Sequence, residues 1–147
     1  MPSNSPRLWV VATPLGNPGD LSPRAREVLT RAELVLAEDT RRAMDQFRRW
    51  ELPPRRFISL FEHNEEKRLE SVLEALRAGQ EVALMTDAGT PCVSDPGFLL
   101  VRACREEGIE VSPVPGPSAP VAALSASGLP PMAAMSLRFT ARALWPT

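Results

Sequence analysis

Glu81-Val82-Ala83-Leu84-Met85-Thr86-Asp87-Ala88-Gly89-Thr90-Pro91-Cys92-Val93-Ser94-Asp95-Pro96-Gly97 packs an apolar run, two small-residue turns and two carboxylates into one short stretch. The first five residues have strand length and composition, and Phe98 to Cys104 beyond the stretch has helical spacing. A strand that empties into such a loop and then into a helix is a βα unit, and open α/β sheets bind ligands at the carboxyl ends of their strands. Gly89 lets a ligand approach the backbone, while Pro91 and Pro96 fix the path of the chain around it. Asp87 and Asp95 offer acceptors for hydroxyl or ammonium groups. A plainer reading makes this an ordinary connection, with Asp95 as N-cap and Pro96 at the first helical position. The cap explains Asp95 and Pro96 better than it explains Asp87 to Pro91.

The same alternation extends outward in both directions. Leu8 to Ala12 reads as a buried strand, followed by the turn Thr13-Pro14-Leu15-Gly16-Asn17-Pro18-Gly19-Asp20 and a helix from Ser22-Pro23 to Arg31. Leu34 to Ala37 is a second strand ending in Glu38-Asp39-Thr40-Arg41, with a helix from Arg42 to Trp50. Arg56 to Leu60 is a third strand, and the loop Phe61-Glu62-His63-Asn64 leads into an amphipathic helix from Glu65 to Ala78 that stops at Gly79. Ile109 to Val114 is the last strand, ending in Pro115-Gly116-Pro117-Ser118-Ala119, and Val121 to Ser127 is a small-residue helix. Five strands alternating with five helices predict an α/β fold: a doubly wound, mainly parallel five-stranded sheet with helices on both faces. Four polar or small-residue loops should then gather on one sheet edge: Thr13 to Asn17, Glu38 to Arg41, Asp87 to Asp95 and Pro115 to Ser118.

At 147 residues and 44% apolar content the chain can bury one core. No apolar run approaches the roughly 20 residues that span a bilayer, so no membrane segment is expected. The first residues lack the layout of a secretory leader. Cys92 and Cys104 are too sparse for a disulfide framework, so a cytoplasmic setting is expected. The net charge of −1 hides an asymmetry, because residues 1–60 carry ten arginines against seven acids. Arg41-Arg42, Arg48-Arg49 and Arg55-Arg56 recur every seven residues, which returns to one helix face, although Pro53-Pro54 ends the helix before the third pair. Either this is a phosphate-binding ridge or it is a solvated face in an Arg-rich chain.

The first loop lacks the three glycines of a dinucleotide fingerprint and any P-loop lysine, so NAD and ATP are poorly supported. No serine-hydrolase elbow is present, and the single histidine, His63, precludes a multi-histidine metal centre.

Six motifs together carry a resemblance: Val11-Ala12-Thr13-Pro14-Leu15-Gly16-Asn17, Ala37-Glu38-Asp39-Thr40-Arg41, Glu62-His63-Asn64, Asp87-Ala88-Gly89-Thr90-Pro91 with Ser94-Asp95-Pro96-Gly97, Pro115-Gly116-Pro117-Ser118-Ala119, and Ala126-Ser127-Gly128-Leu129. In this order, over residues 8 to 130, they resemble the small-subunit ribosomal RNA ribose 2′-O-methyltransferases of the tetrapyrrole methylase superfamily. The resemblance implies S-adenosyl-L-methionine as methyl donor, a cytidine ribose of small-subunit (16S) rRNA or the 30S subunit as acceptor, and a homodimer. Carried over by motif, Leu15 lies in the first donor loop, Thr90 and Val93 line the second, and Ser118 and Ala119 belong to the third. Asp87, Ala88 and Gly89 border the same pocket, and Thr13 contacts either donor or RNA. Glu38, Asp39 and His63 are the candidate bases by loop position. Glu38 reads equally as a helix cap or a partner of Arg41, and His63 as a cap of the helix after it.

Two departures qualify the match. Cys92 stands where the family usually has glycine. After Pro130 the family continues into a second domain, whereas Pro131 to Thr147 matches nothing expected there. The expectation is an isolated N-terminal domain over residues 1–130, with the second domain absent and an atypical tail over 131–147 that arises from a frameshift or an early stop. A half-cleft should bind the donor poorly and expose apolar surface. A methylase of a tetrapyrrole or other small molecule, and an inactive RNA- or protein-binding remnant, stay open as alternatives.

Overall fold

A computed structural model describes residues 7–93 and 95–130. The residues assigned to the tail lie outside the described residues. Five strands, β1 (Arg7–Val11), β2 (Leu34–Ala37), β3 (Arg56–Ser59), β4 (Glu81–Leu84) and β5 (Glu110–Val114), form one sheet in the order β3-β2-β4-β1-β5. Every pairing is parallel. Five helices alternate with them: α1 (Pro23–Arg31), α2 (Thr40–Arg49), α3 (Glu65–Arg77), α4 (Phe98–Glu106) and α5 (Ala119–Ala126). The doubly wound parallel sheet expected from the sequence is the fold observed.

The chain steps from β1 to β2 to β3 toward one edge of the sheet, then returns through β4 to β5 at the other. Right-handed crossovers therefore put α1 and α2 on one face and α3 and α4 on the other. The register makes both faces apolar. Leu34, Val82, Leu8 and Val111 lie side by side across four strands and pack under Val72, Leu76, Leu100 and Cys104. One residue further along, Val35, Ala83 and Trp9 point the opposite way and meet Val28, Leu29, Ala43 and Phe47. Because strand side chains alternate, each strand feeds both cores, and each fully buried Val or Leu contributes about 1.5–3 kcal/mol.

Local chemistry sets the helix starts. Ser22 accepts a hydrogen bond from Ala25 N at 3.0 Å and Pro23 follows it, so α1 begins where expected. The second helix begins two residues earlier than expected, because the Asp39 carboxylate caps it, accepting from Arg41 N and Arg42 N. The fourth does not use Asp95 as its cap or Pro96 in its first turn. It begins at Phe98 with Gly97 as N-cap, at φ 124°, without a capping bond from that residue. The last helix differs most from its neighbours. It buries none of its residues against the sheet, and Val121 is 61% exposed.

Candidate functional site

The loops leaving β1, β4 and β5 are tied to one another. Thr13 N donates to Gly89 O at 2.9 Å and Gly89 N to Thr13 O at 3.0 Å, an antiparallel bridge between two loops. The Thr13 side chain is fully buried and its hydroxyl donates to Thr86 O at 3.2 Å. It is therefore part of the scaffold, which corrects the expectation that Thr13 contacts donor or RNA. The Thr90 hydroxyl donates to Pro117 O at 2.9 Å and joins the third loop to the other two. Gly89 has φ +86°, and a Cβ there would lie 3.3 Å from Leu15 Cδ2 and 3.7 Å from Pro117 O. Both the dihedral and the close approach ask for glycine. Its N–H is committed to Thr13, so it serves by leaving room.

Two small clefts adjoin at Ala88. One, of about 180 Å³, is lined by Ala88, Gly89, Thr90, Val93, Asp95, Ser118, Ala119 and Pro120. The other, of about 220 Å³, is lined by Pro14, Leu15, Gly16, Pro18, Gln46, Arg49, Trp50, Asp87 and Ala88. All eight residues assigned to the donor site from sequence line one or both. The cradle suits a folded, flexible ligand: small side chains expose the backbone, and the Ser118 side chain does not cap α5, which leaves first-turn N–H groups beside the cleft. Each cleft is smaller than the 300–1,000 Å³ usual for a ligand site.

Asp87 is less free than the sequence suggested. Its Oδ2 accepts from Arg42 Nη1 at 2.8 Å, and its backbone oxygen accepts from Gln46 Nε2 at 2.5 Å. That ion pair raises the Arg42 pKa. The basic ridge is thereby divided, with Arg42 and Arg49 turned to the β4 loop and Arg48 paired with Asp45. Asp95 Oδ1 accepts from the Thr86 hydroxyl at 3.0 Å.

The three candidate bases are placed differently from one another. Glu38 lines two clefts beyond β2 and β3, one with Asp39, Thr40, Arg41, Ser59 and Phe61, the other with Glu62, Glu65 and Asp95. The Asp39 pKa is lowered, first by the backbone hydrogen bond from Arg42, then by that from Arg41. His63 is exposed in the turn before α3 and lines neither cleft. It does not cap that helix, whose N-cap is Asn64. Asn64 instead closes the turn, accepting from Phe61 N at 2.7 Å and donating to Ser59 O at 3.1 Å. Among the described residues, no group of three or more His, Cys, Asp or Glu is placed to hold a metal ion.

Glu65 is the residue that the sequence reading passed over. It is 5% exposed, and its Oε1 accepts from both Gly97 N and Leu100 N at 3.1 Å. A carboxylate from the start of α3 thus supplies the cap that α4 lacks. The signal was its spacing, since Glu65 falls on the same helical stripe as Leu69, Val72 and Leu76. Nearby, Cys92 adopts φ +65°, so the backbone has the conformation that favours the glycine expected there. Burial, then the charges of Glu65 and Asp95, push its thiol up to about 11.

A sequence model of the tetrapyrrole (corrin/porphyrin) methylases matches residues 7–144. The chain belongs to this family. Within it, the domain is 51% identical over 133 residues to the ribosomal RNA small subunit methyltransferase I of Xylella fastidiosa, which covers 90% of this chain and 46% of that protein. It is 48% identical over 124 residues to the Escherichia coli O157:H7 protein of the same name, covering 84% of this chain and 43% of that one. The chain therefore spans less than half the length of these curated relatives. Among solved structures, the uroporphyrin-III-C-methyltransferase of Thermus thermophilus superposes with a TM-score of 0.62 at 29% identity, covering 85% of this chain and 53% of that one. A cobalt precorrin-4 methyltransferase shares the fold, with a TM-score of 0.67 at 22% identity over 86% of this chain and 53% of that one.

Proposed function

We propose that this chain is the donor-binding N-terminal half of an S-adenosylmethionine-dependent methyltransferase that methylates the ribose 2′-hydroxyl of a cytidine in small-subunit (16S) rRNA. In this reading residues 1–130 form the first domain of a cytoplasmic homodimer acting on the 30S subunit, and a second domain closes the cleft. The observation that carries it is the mutual fastening of the β1, β4 and β5 loops around Gly89, which gathers Leu15, Ala88, Thr90, Val93, Ser118 and Ala119 at one place. Similarity to methyltransferases named for small-subunit rRNA, at 48–51% identity, supports the acceptor.

The donor supplies a methyl group on a sulfonium, transferred by in-line displacement. The protein's share is position and proton handling. The Thr13–Gly89 bridge and the Thr90–Pro117 bond hold the walls of the cleft, so its shape exists before any ligand arrives. Asp87, fixed by Arg42 and Gln46, keeps a carboxylate at the seam of the two clefts. Of the candidate bases, Asp39 is committed to capping α2 with a depressed pKa, which makes it a weak proton acceptor. Glu38, in the adjoining open clefts, is the residue we assign to the ribose hydroxyl, with His63 outside the immediate site.

Calorimetric titration with S-adenosylmethionine and with S-adenosylhomocysteine tests this reading. Micromolar binding to the chain alone would support a donor site built by these loops, and methyl transfer to 30S subunits would then be measured. No heat from either ligand, both for this chain and for a version completed by the C-terminal half of the Xylella fastidiosa relative, would refute it.

A further inference from the structure

Between α2 and the edge strand β3 lies a groove of about 320 Å³ that the proposed transfer does not use. The half-buried Phe57 forms its base, edge to face with the buried Phe47 behind it, ring centroids 4.9 Å apart. Met44, 38% exposed, and Pro54 add apolar surface, and Arg48 and Arg55 stand on its walls. The groove is lined by Arg48 and Arg55 and by no acid, whereas the cleft beside α4 is lined by Glu38, Glu62, Glu65 and Asp95. The two surfaces differ in sign, and only the first attracts a polyanion. Arg48 has one ion pair, to Asp45 at 2.5 Å, and its side chain stays 76% exposed. Arg55 is anchored by donating to Thr30 O, so it builds a wall of the groove.

We infer that this groove is an RNA subsite that takes one unstacked base, with a flanking phosphate on Arg48. The inference rests on the rRNA reading above and extends it to a surface separate from the donor clefts. Proteins read single-stranded RNA by stacking splayed bases on aromatic side chains and arginine planes while cations hold the backbone, and apolar walls with a cationic rim supply both parts. A duplex keeps its bases stacked and fills the groove poorly. A second copy of this chain is a worse occupant, because a two-fold contact here would set the same arginines against each other.

The test is fluorescence anisotropy of the chain with a short labelled single-stranded oligoribonucleotide and with its duplex, over a salt series. A 2-aminopurine in the single strand reports stacking. The expected result is preference for the single strand, quenching of the 2-aminopurine, and about tenfold weaker binding with loss of that quenching by Met44→Glu. Arg48→Gln should lower the salt slope by about one. Met44 is exposed on α2, so its replacement leaves the core intact, and circular dichroism checks this. If Met44→Glu changes neither affinity nor quenching while Arg48→Gln weakens binding, the groove holds no base; the inference falls and the rRNA reading stands. If no form of the chain binds RNA at low salt, the inference falls, and the rRNA reading rests on the completed version. A dimer in sedimentation that Met44→Glu dissociates, without quenching in the parent chain, would assign the groove to self-association and overturn the inference.

Discussion

The loops after β1, β4 and β5 and the loops after β2 and β3 leave the same sheet edge in opposite conditions. In the first group the polypeptide is fastened to itself, through the Thr13–Gly89 bridge, the Thr90–Pro117 bond and the glycine at 89 that fits against Leu15. Few charges are present, and the one carboxylate at the seam, Asp87, is paired. In the second group Glu38, Asp39, Glu62 and His63 stand at open surfaces, with only Asp39 held by backbone N–H groups. A ligand that must be gripped in one shape calls for prebuilt walls, since ordering them on binding would weaken affinity. A proton acceptor needs water or substrate within reach. Under the proposed function, the difference divides donor binding from proton transfer between the two groups of loops.

The largest effect is expected at Gly97, where the β4 loop turns into α4. A Cβ there would lie 2.6 Å from Cys92 Sγ and 2.6 Å from Leu84 Cδ2, at a φ of +124°. Gly97→Ala should lose about 3 kcal/mol or more, from overpacking and backbone strain together. Gly16→Ala is the control, because φ is +132° but nothing lies within 4 Å, and it should lose only about 1 kcal/mol. Urea denaturation of both measures the gap. Equal losses would show that the β4 loop yields freely, and the contrast between prebuilt and open loops would be wrong.

Next comes Glu65, a buried side chain that links the two groups. Glu65→Ala leaves Gly97 N and Leu100 N without their partner and should destabilise by about 2–3 kcal/mol. Glu65→Gln keeps a carbonyl oxygen where Oε1 accepts both bonds, and should lose about 1 kcal/mol, mostly the charge facing the helix dipole. Denaturation curves separate them. If Gln is as damaging as Ala, the charge matters more than the hydrogen bonds. At Gly89 the balance shifts from stability to binding. Gly89→Ala should lose about 1–2 kcal/mol for a left-handed alanine, but should weaken S-adenosylmethionine binding at least about tenfold by calorimetry.

The sheet was legible because its signals are local and repeated. Leu34-Val35-Leu36-Ala37 has the length and apolar character of a buried parallel strand, and each strand is followed by a turn and a capped or amphipathic helix. Misreadings arose where a distant group won over a local rule. Asp95-Pro96 has the local form of a helix start, yet the α4 amides were already satisfied by Glu65, more than thirty residues earlier in the chain. Asp87 looked like a free acceptor because Arg42 and Gln46 meet it only through the packing of α2 on β2, the sheet neighbour of β4. The small-residue run Ala119–Ala126 gave the right helix type but no indication that it would bury nothing, since an apolar helix without an amphipathic stripe does not say which face packs. The loops assigned to the donor under the proposed function were readable as motifs, while their fastening depends on backbone atoms that carry no sequence signal.

The smallest expected effect separates two adjacent acids of the open group. The Asp39 carboxylate has a pKa below its ordinary value, because its ionised form accepts the backbone N–H groups of Arg42 and Arg41 and lies near both guanidinium groups. A depressed folded-state pKa means that the unfolded chain holds the proton more tightly. The ionised cap therefore contributes stability that is fully present above the unfolded value of about 3.9, and that is lost as pH falls through the lower folded-state value. Asp39→Asn keeps an acceptor for the cap but does not titrate, so the stability difference between parent and variant should shrink as pH falls from about 7 to below about 4. Urea midpoints across that range measure it. Glu38→Gln, by contrast, should change methyl transfer in the completed enzyme more than stability. A parent–variant difference at Asp39 that stays flat with pH would mean the carboxylate is not held ionised by the helix end, and Asp39 would return beside Glu38 as a candidate base.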